Sequence, residues 1–260
     1  MNQKFRTRVF VAAILCLSFL SMPSGSFSAE ADFSLGLGVA FVPDYEGSDD
    51  SEGFPVPFAS AKWPNNRFVK LKGNTLRANV ISSATWQLGP VLQFRKTRDD
   101  DVDNTAVSRL RKIDAAVEAG VFFGFESRDW DAGLQIANDI TGNHDGMLAT
   151  VTGGYTWHWN SLTTRIGIFI TFANNDYMET YFSVDADNSV RSGLPVFNAD
   201  AGIKDAGIDA TLRYCMTGSW DLLGLLGFSK LANDASDSPL VDIEGDENQM
   251  SAAVVAIYNF

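Results

Sequence analysis

The strongest constraint on the fold is a repeated two-residue alternation of side-chain type. From Phe33 to Phe41 every second residue is large and apolar, whereas the residues between are small. The alternation recurs in residues 115–126, 130–139, 162–172, 206–214 and 249–260. Because the side chains of a β-strand point alternately to its two faces, this period predicts strands. No segment of comparable length has a helical period, so we expect an all-β fold.

Two all-β architectures fit many alternating strands: a soluble sandwich or barrel, and a membrane-spanning barrel. A soluble barrel would place its large apolar side chains inside, and the opposite face of each strand would be solvent-exposed. Here the face opposite the large apolar residues, which we call the opposite column, is rich in glycine and in charged residues. Apolar groups on lipid and polar groups in an enclosed lumen are typical of outer-membrane barrels. The charges that we assign to the lumen are Arg77, Arg95, Glu118, Asp131, Arg165, Asp209 and Arg213.

We expect these lumen charges to form pairs, because an unpaired buried charge is costly. Paired charges would plug the barrel, whereas hydrated ones would line a narrow pore. A barrel of about twelve strands allows either outcome, since it lies between packed eight-strand barrels and open sixteen-strand porins.

The pattern predicts a transmembrane antiparallel up-and-down β-barrel of about twelve strands. They lie near residues 32–42, 55–63, 67–72, 75–82, 86–96, 114–127, 129–140, 147–159, 161–172, 203–214, 219–230 and 248–260. The second to fourth are weakly patterned, so ten strands remain an alternative. Links after even strands are tight, and most links after odd strands are long, as is typical of barrels with short periplasmic turns.

Aromatic residues mark the rim that carries the tight turns. All six tryptophans lie within a few residues of a tight turn: Trp63, Trp86, Trp130, Trp157, Trp159 and Trp220. An indole prefers the bilayer interface, so we interpret this set as a periplasmic aromatic girdle. The chain ends in a strand carrying Tyr258 and Phe260, which resembles the C-terminal signal read by the outer-membrane barrel assembly machinery.

The N-terminus has the order of a secretory signal: a basic head, an apolar run and small residues. The run over residues 9–20 has about 12 residues, and a spanning helix needs roughly 20, which disfavours an N-terminal anchor. Cleavage after Ser28 or Ala29 is conceivable, but Ala31 fits best. We therefore predict a cleaved signal peptide over residues 1–31 and one barrel domain over residues 32–260.

Composition excludes several function classes. The net charge is −12, so nucleic acid is not an expected partner, because phosphate contacts need clustered Lys and Arg. After cleavage one cysteine, Cys215, would remain, and it could form no internal disulfide.

Two histidines are the candidates for hydrolytic chemistry. His144 lies beside Asp145 in a short loop, as a hydrolytic site would require, but Asn, Asp and Gly at this position also predict a plain turn. His158 lies on the predicted lumen column, where packing or a hydrogen bond is the simpler role. We assign no catalytic residue, and a lipid- or peptide-hydrolysing barrel is the weakest alternative.

The acidic loops are candidates for a metal-ion site. Asp99, Asp101 and Asp103 have the first spacings of a calcium loop, but Asn104 and Leu110 occupy the positions where an EF-hand needs Gly and Glu. We assign no specific metal site and no cofactor. Loose cation binding beside lipopolysaccharide phosphates is a hypothesis, and a solvated acidic face is the alternative.

Several stretches resemble the MltA-interacting protein / OmpV (MipA/OmpV) family of outer-membrane proteins, in order and nearly end to end. The first follows the first strand and contains Pro43, Asp44, Tyr45, Glu46 and Gly47. Others contain Asp176, Tyr177, Tyr181 and Phe182, then Gly193 and Pro195, and further stretches begin at Gly202 and Asp234. The roles of these residues are unknown.

The resemblance implies a non-enzymatic protein of the Gram-negative outer membrane, in contact with lipid, lipopolysaccharide and the assembly machinery. It also implies a scaffold that joins a murein lytic transglycosylase to a peptidoglycan synthase of the penicillin-binding class. Other members look porin-like or adhesive, so a small channel or an adhesin stays an alternative. The family supplies no catalytic residues.

Overall fold

The computed structural model describes residues 31–260 and shows a closed antiparallel barrel in which each strand pairs with its neighbours in sequence. The strands are β1 (Asp32–Pro43), β2 (Ser51–Lys62), β3 (Phe68–Lys72), β4 (Thr75–Asn79), β5 (Trp86–Arg95), β6 (Ala116–Glu126), β7 (Trp130–Asp139), β8 (Met147–Trp159), β9 (Leu162–Ala173), β10 (Gly202–Cys215), β11 (Trp220–Leu231) and β12 (Asn248–Asn259). The predicted all-β barrel is confirmed with twelve strands, not ten. Residues 1–30 of the predicted signal peptide lie outside the described residues.

Pairing of the first strand with the last closes the barrel. The register runs from Ser34 opposite Asn259 to Phe41 opposite Ala252. Closure removes the free sheet edges that would otherwise leave backbone groups unpaired in hydrocarbon. Among residues 31–260, no helix is long and apolar enough to cross a membrane.

The two faces of each strand differ as the alternation predicts. Large apolar side chains point outward and are exposed, as at Leu37 and Ile168, which are 66% and 63% exposed. The opposite column is small because neighbouring strands approach closely there. A Cβ added at Gly38 would lie 2.1 Å from the carbonyl oxygen of Val254, so this position admits glycine alone without a backbone shift.

Strands β3 and β4 are half as long as their neighbours. On the long-loop side of the β3–β4 hairpin, the first half of β2 therefore pairs with β1 alone among the described strands, and the resulting gap between β2 and β5 is a notch in the barrel wall. β2 begins at Ser51, earlier than predicted, because it pairs with β1 up to Pro43. The carbonyl of Pro57 accepts from Gly73 N–H, so the nitrogen of Pro57, and that of Pro55, faces the notch. Both prolines lack the N–H that would be unpaired there.

The tight-turn rim carries an outward aromatic belt. Five of the tryptophans in residues 31–260 are exposed at this rim, namely Trp86, Trp130, Trp157, Trp159 and Trp220, and Trp63 is half-buried. Neighbouring rings pack against several of them, for example Tyr155 against Trp130, with centroids 4.6 Å apart. The last residue, Phe260, is exposed beside Tyr258 at the same rim.

The long loops fold into a compact layer, which we call the cap. Its helices are α1 (Asn175–Phe182), α2 (Ala186–Ser192), α3 (Asp234–Asp237) and α4 (Pro239–Asp242), with a 3₁₀ turn at Val107–Arg109. Their apolar side chains and the outer strand ends share one core, in which the most deeply buried residues are Tyr177, Met178, Phe182, Val184, Ala235, Leu240 and Ala173.

Candidate functional site: a sealed rim and an open vestibule

Side-chain-to-backbone hydrogen bonds tie the loops of the cap together. Arg98, from the loop after β5, donates to the carbonyl of Tyr181 in α1 at 2.9 Å. Ser238 donates to the carbonyl of Phe182 at 2.6 Å. Burial lowers the pKa of Arg98 to about 10, so its guanidinium stays charged at neutral pH. The cap is therefore a folded layer whose loops are held by specific partners.

Below the cap, a set of charges that we call the ion bridge spans the lumen. Glu46, from the loop after β1, accepts from Arg95 on β5 at 2.8 Å and from Lys204 on β10 at 3.3 Å. It also accepts from the hydroxyl of Tyr177 at 2.9 Å. Burial raises the pKa of Glu46, but Lys204 and Arg95 outweigh it and bring the pKa to about 2. Three separated parts of the barrel are thereby joined across its axis.

The ion bridge continues into the wall through Arg95. Its Nε donates to Glu118 at 2.7 Å, and Glu118 lies 3.3 Å from Nε2 of His144. The rings of Tyr177 and Tyr181 cover the guanidinium of Arg95, with centroids 5.0 and 5.6 Å away. This arrangement favours a fixed plug over a mobile, hydrated charge.

His144 is enclosed by the protein. Its side chain has no exposed surface, and its Nδ1 accepts from the N–H of Gly146 at 3.0 Å. The loop is shaped by Asp139, whose carboxylate accepts from the backbone N–H of Asn143 and His144 at 2.7 and 2.8 Å. An enclosed imidazole with both nitrogens facing protein groups has no room to meet a substrate.

His158 lies at the opposite rim, where its Nε2–H donates to the carbonyl of Arg128 at 3.1 Å. Of the acidic loop residues, Asp99 accepts from the N–H of Asp101, and Asp103 N–H donates to Asp44. Within residues 31–260 no group of three or more His, Cys, Asp or Glu side chains could hold a metal ion.

In the middle of the lumen, Arg165 joins two strands. Its guanidinium donates to Asp131 on β7 at 2.7 and 2.6 Å and to Asp209 on β10 at 2.6 Å. A Cβ at Gly154 or Gly167 would lie 2.5 or 2.4 Å from guanidinium nitrogens, so the glycine column makes room for this group.

The two other predicted lumen arginines have different partners. Arg213 pairs with Asp221 on β11, a carboxylate that the alternation did not single out. Arg77 donates to the neutral side chain of Gln135 at 2.5 Å. Thus the structure brings together Arg95 with Glu118 and Arg165 with two aspartates. Among residues 31–260, Arg77 forms no ion pair with a carboxylate.

The tight-turn end of the lumen is an open cavity of about 1200 Å³, which we call the vestibule. Turn residues such as Asn66, Ser127 and Arg128 line its mouth. A smaller cavity of about 510 Å³ lies against the ion bridge, and the two share Val42 and Lys72 in their walls. The two ends of the barrel therefore differ: one is covered by a packed cap and the other is open.

The motif residues fall in two groups. Tyr45, Glu46, Tyr177, Tyr181 and Phe182 belong to the cap core or the ion bridge. The other motif residues have local roles. Asp44 lies 3.4 Å from Lys96, and Gly47 N–H donates to Gln249. Asp176 accepts from Asn174, Gly193 ends α2 with a φ of 84°, Pro43 ends β1 and Pro195 is exposed.

Comparison with known proteins identifies relatives. The family model described as MltA-interacting protein MipA matches residues 35–260. MltA-interacting protein of Escherichia coli (strain K12) is 24% identical over 231 residues, with 86% of this chain and 89% of the relative covered. "Putative outer membrane protein YiaT" of the same strain is 24% identical over 242 residues, with 89% and 92% covered.

Solved structures with partial likeness include the NanC porin, with 10% identity, a TM-score of 0.41 and coverage of 88% of this chain and 100% of that chain. Pseudomonas putida OprB has 8% identity, a TM-score of 0.41 and coverage of 89% and 94%. The closed strand pairing, and not these superpositions, establishes the barrel. By its family match over nearly all of the barrel, the chain belongs to the MltA-interacting protein MipA family and is a β-barrel of the Gram-negative outer membrane.

Proposed function

We propose that this barrel is a non-enzymatic interaction protein whose periplasmic end binds peptidoglycan-remodelling enzymes, namely a murein lytic transglycosylase and a penicillin-binding synthase. The observation that carries the proposal is the difference between the two ends of the lumen. In barrels of this class the short turns face the periplasm and the longer loops face outward. The open vestibule is then periplasmic, and the cap is external.

The covered outer end supports binding over transport. A solute that entered the vestibule would meet the ion bridge around Glu46 and then the buried core of the cap. Breaking buried, hydrogen-bonded charge pairs is costly, so spontaneous opening is disfavoured. The concave vestibule also gives a periplasmic partner more surface than tight turns alone.

The absence of a usable catalytic group at His144 supports a non-enzymatic role. General-base catalysis requires the base to reach the reacting proton, and this imidazole is enclosed. The name of the Escherichia coli relative, MltA-interacting protein, supports a lytic transglycosylase as partner. The apolar outer columns support contact with lipid and lipopolysaccharide, and the exposed Phe260 supports recognition by the assembly machinery.

The test is direct binding of soluble transglycosylase and synthase domains from the same organism to the detergent-solubilised barrel. We expect Arg128→Glu, at the tight-turn rim, to weaken binding, because Arg128 lines the vestibule mouth. The matched control is Arg191→Glu on α2 of the cap, which we expect to leave binding unchanged. Absence of binding to the unmodified barrel, or equal loss in both variants, contradicts the proposal.

A small channel is the second candidate, because the two lumen cavities adjoin at Val42 and Lys72. Planar-bilayer recording separates the candidates. Discrete conductance steps from the unmodified barrel support the channel, whereas silence at high protein load supports the interaction protein.

A further inference from the structure

The vestibule wall carries neighbouring cations. Lys70 and Lys72 lie on β3 and Arg77 lies on β4, and all three line the cavity. Lys70 pairs directly with Arg77 in the strand register. Lys62 on β2 lines the same cavity. The cations thus form one patch on three adjacent strands.

This patch lacks carboxylate partners. Within the described part of the chain, no carboxylate lies within ion-pair distance of Lys70, Lys72 or Arg77. Other lumen cations, such as Arg95 and Arg165, each contact a carboxylate. The contrast is marked in a chain with 32 acidic and 20 basic residues.

Like charges directly opposite one another destabilise a sheet, so the patch opposes folding unless an anion compensates it. Aromatic rings hold two of its members towards the cavity: Lys70 lies 5.1 Å from the ring centroid of Phe68, and Arg77 lies 5.5 Å from that of Phe122. Six cations and two carboxylates, Asp32 and Glu126, line the vestibule. A cleft with an excess of one sign of charge and low-dielectric walls concentrates ligands of opposite sign.

We propose that the vestibule binds an acidic, extended peptide segment of a periplasmic partner. Lys70 and Lys72 are two residues apart on one strand, so their Cα atoms are about 6.6 Å apart. Alternate carboxylates of an extended peptide have the same spacing. Phe58 lies opposite Lys72 and Phe68 lies two residues before Lys70, so the two rings flank the lysines on the same wall of the cavity. A cavity of about 1200 Å³ has room for several residues. This inference rests on the proposed function and identifies the chemistry of the partner.

The probe is a fluorescein-labelled octapeptide of alternating Glu and Ala, measured by fluorescence polarisation with the purified barrel in zwitterionic detergent. We expect saturable binding that weakens with added salt. A matched Gln–Ala peptide should not bind. Lys70→Gln combined with Lys72→Gln should weaken binding about tenfold or more. Lys112→Gln, which removes an exposed lysine of the cap, should leave it unchanged.

Three results would overturn the inference: equal binding of the Glu and Gln peptides, unchanged binding of the Glu peptide to the double variant, or displacement of the labelled peptide by citrate as effectively as by the unlabelled Glu peptide. The last would identify a site for small anions. Because Lys70→Gln removes repulsion, the variant should fold, and Lys70→Arg should keep the binding. If transglycosylase binds the unmodified barrel and the double variant equally, this inference fails and the proposed function stands. If the peptide binds and neither enzyme does, the proposed function fails.

Discussion

Replacing Glu46 by Gln tests whether the ion bridge holds the cap over the lumen. The change keeps the shape of the side chain and removes its charge. Arg95 and Lys204 then lose one carboxylate contact each, at 2.8 and 3.3 Å, but keep Glu118 and Asp205.

Two estimates of the cost agree. The pKa of Glu46 falls from 4.5 to about 2 on folding, and at ~1.36 kcal/mol per unit this is about 3 kcal/mol. Breaking a buried pair costs about 3–5 kcal/mol, reduced here because the side chain is 29% exposed and both cations keep a partner. We expect the free energy of unfolding to fall by about 2–3 kcal/mol.

The assay is reversible urea unfolding in lipid vesicles, followed by tryptophan fluorescence at several pH values. The folded pKa of Glu46 is lower than the unfolded one, so its contribution is complete above pH 4.5 and is lost as the pH falls towards 2. The difference in stability between the unmodified barrel and the variant should therefore shrink over this range. Groups common to both proteins cancel in the difference.

The matched control is Glu247→Gln, which removes an exposed carboxylate paired with Lys230 at 2.8 Å. Exposed pairs contribute about 0–1 kcal/mol. The reasoning is refuted if Glu46→Gln costs no more than this control, or if its effect is the same at neutral pH and at pH 2.

Three further predictions concern the cap, the Arg165 ion pairs and His144. Replacing residues 175–199 by a short Gly–Ser linker should produce conductance steps in planar bilayers, since it removes α1 and α2 from the cap; continued silence would contradict the plug. Arg165→Met should lower the free energy of unfolding in urea by about 3–5 kcal/mol. Adding Asp131→Asn and Asp209→Asn should restore much of this stability, and strictly additive effects of the three substitutions would disprove the coupling. His144→Ala should lower the unfolding free energy by about 2 kcal/mol or more, and an unchanged urea midpoint would show that Glu118 does not need this partner.

The strand pattern could be predicted because it depends on local rules. An alternation such as Phe33 to Phe41 assigns the face of each residue, and lipid requires a closed sheet, so a closed barrel with apolar residues outside follows. The sequence left ten or twelve strands open, and the structure has twelve. The weak segments near β3 and β4 were placed correctly because tight turns delimit them. Arg165 and its two aspartates could be assigned to the lumen for the same reason.

The cap and the partners of individual charges depended on tertiary structure. Glu46 is 131 residues from Tyr177 and 158 residues from Lys204 along the chain. A two-residue period contains no information about contacts over such separations. The cap helices are at most eight residues long, too short for a periodic signal. The sequence by itself determined which side chains face lipid, because that needs only the two-residue period of a strand. Only the tertiary structure showed that one end is covered by a packed cap and the other is open, because loops from distant strands must meet before their charges and apolar groups can pack together.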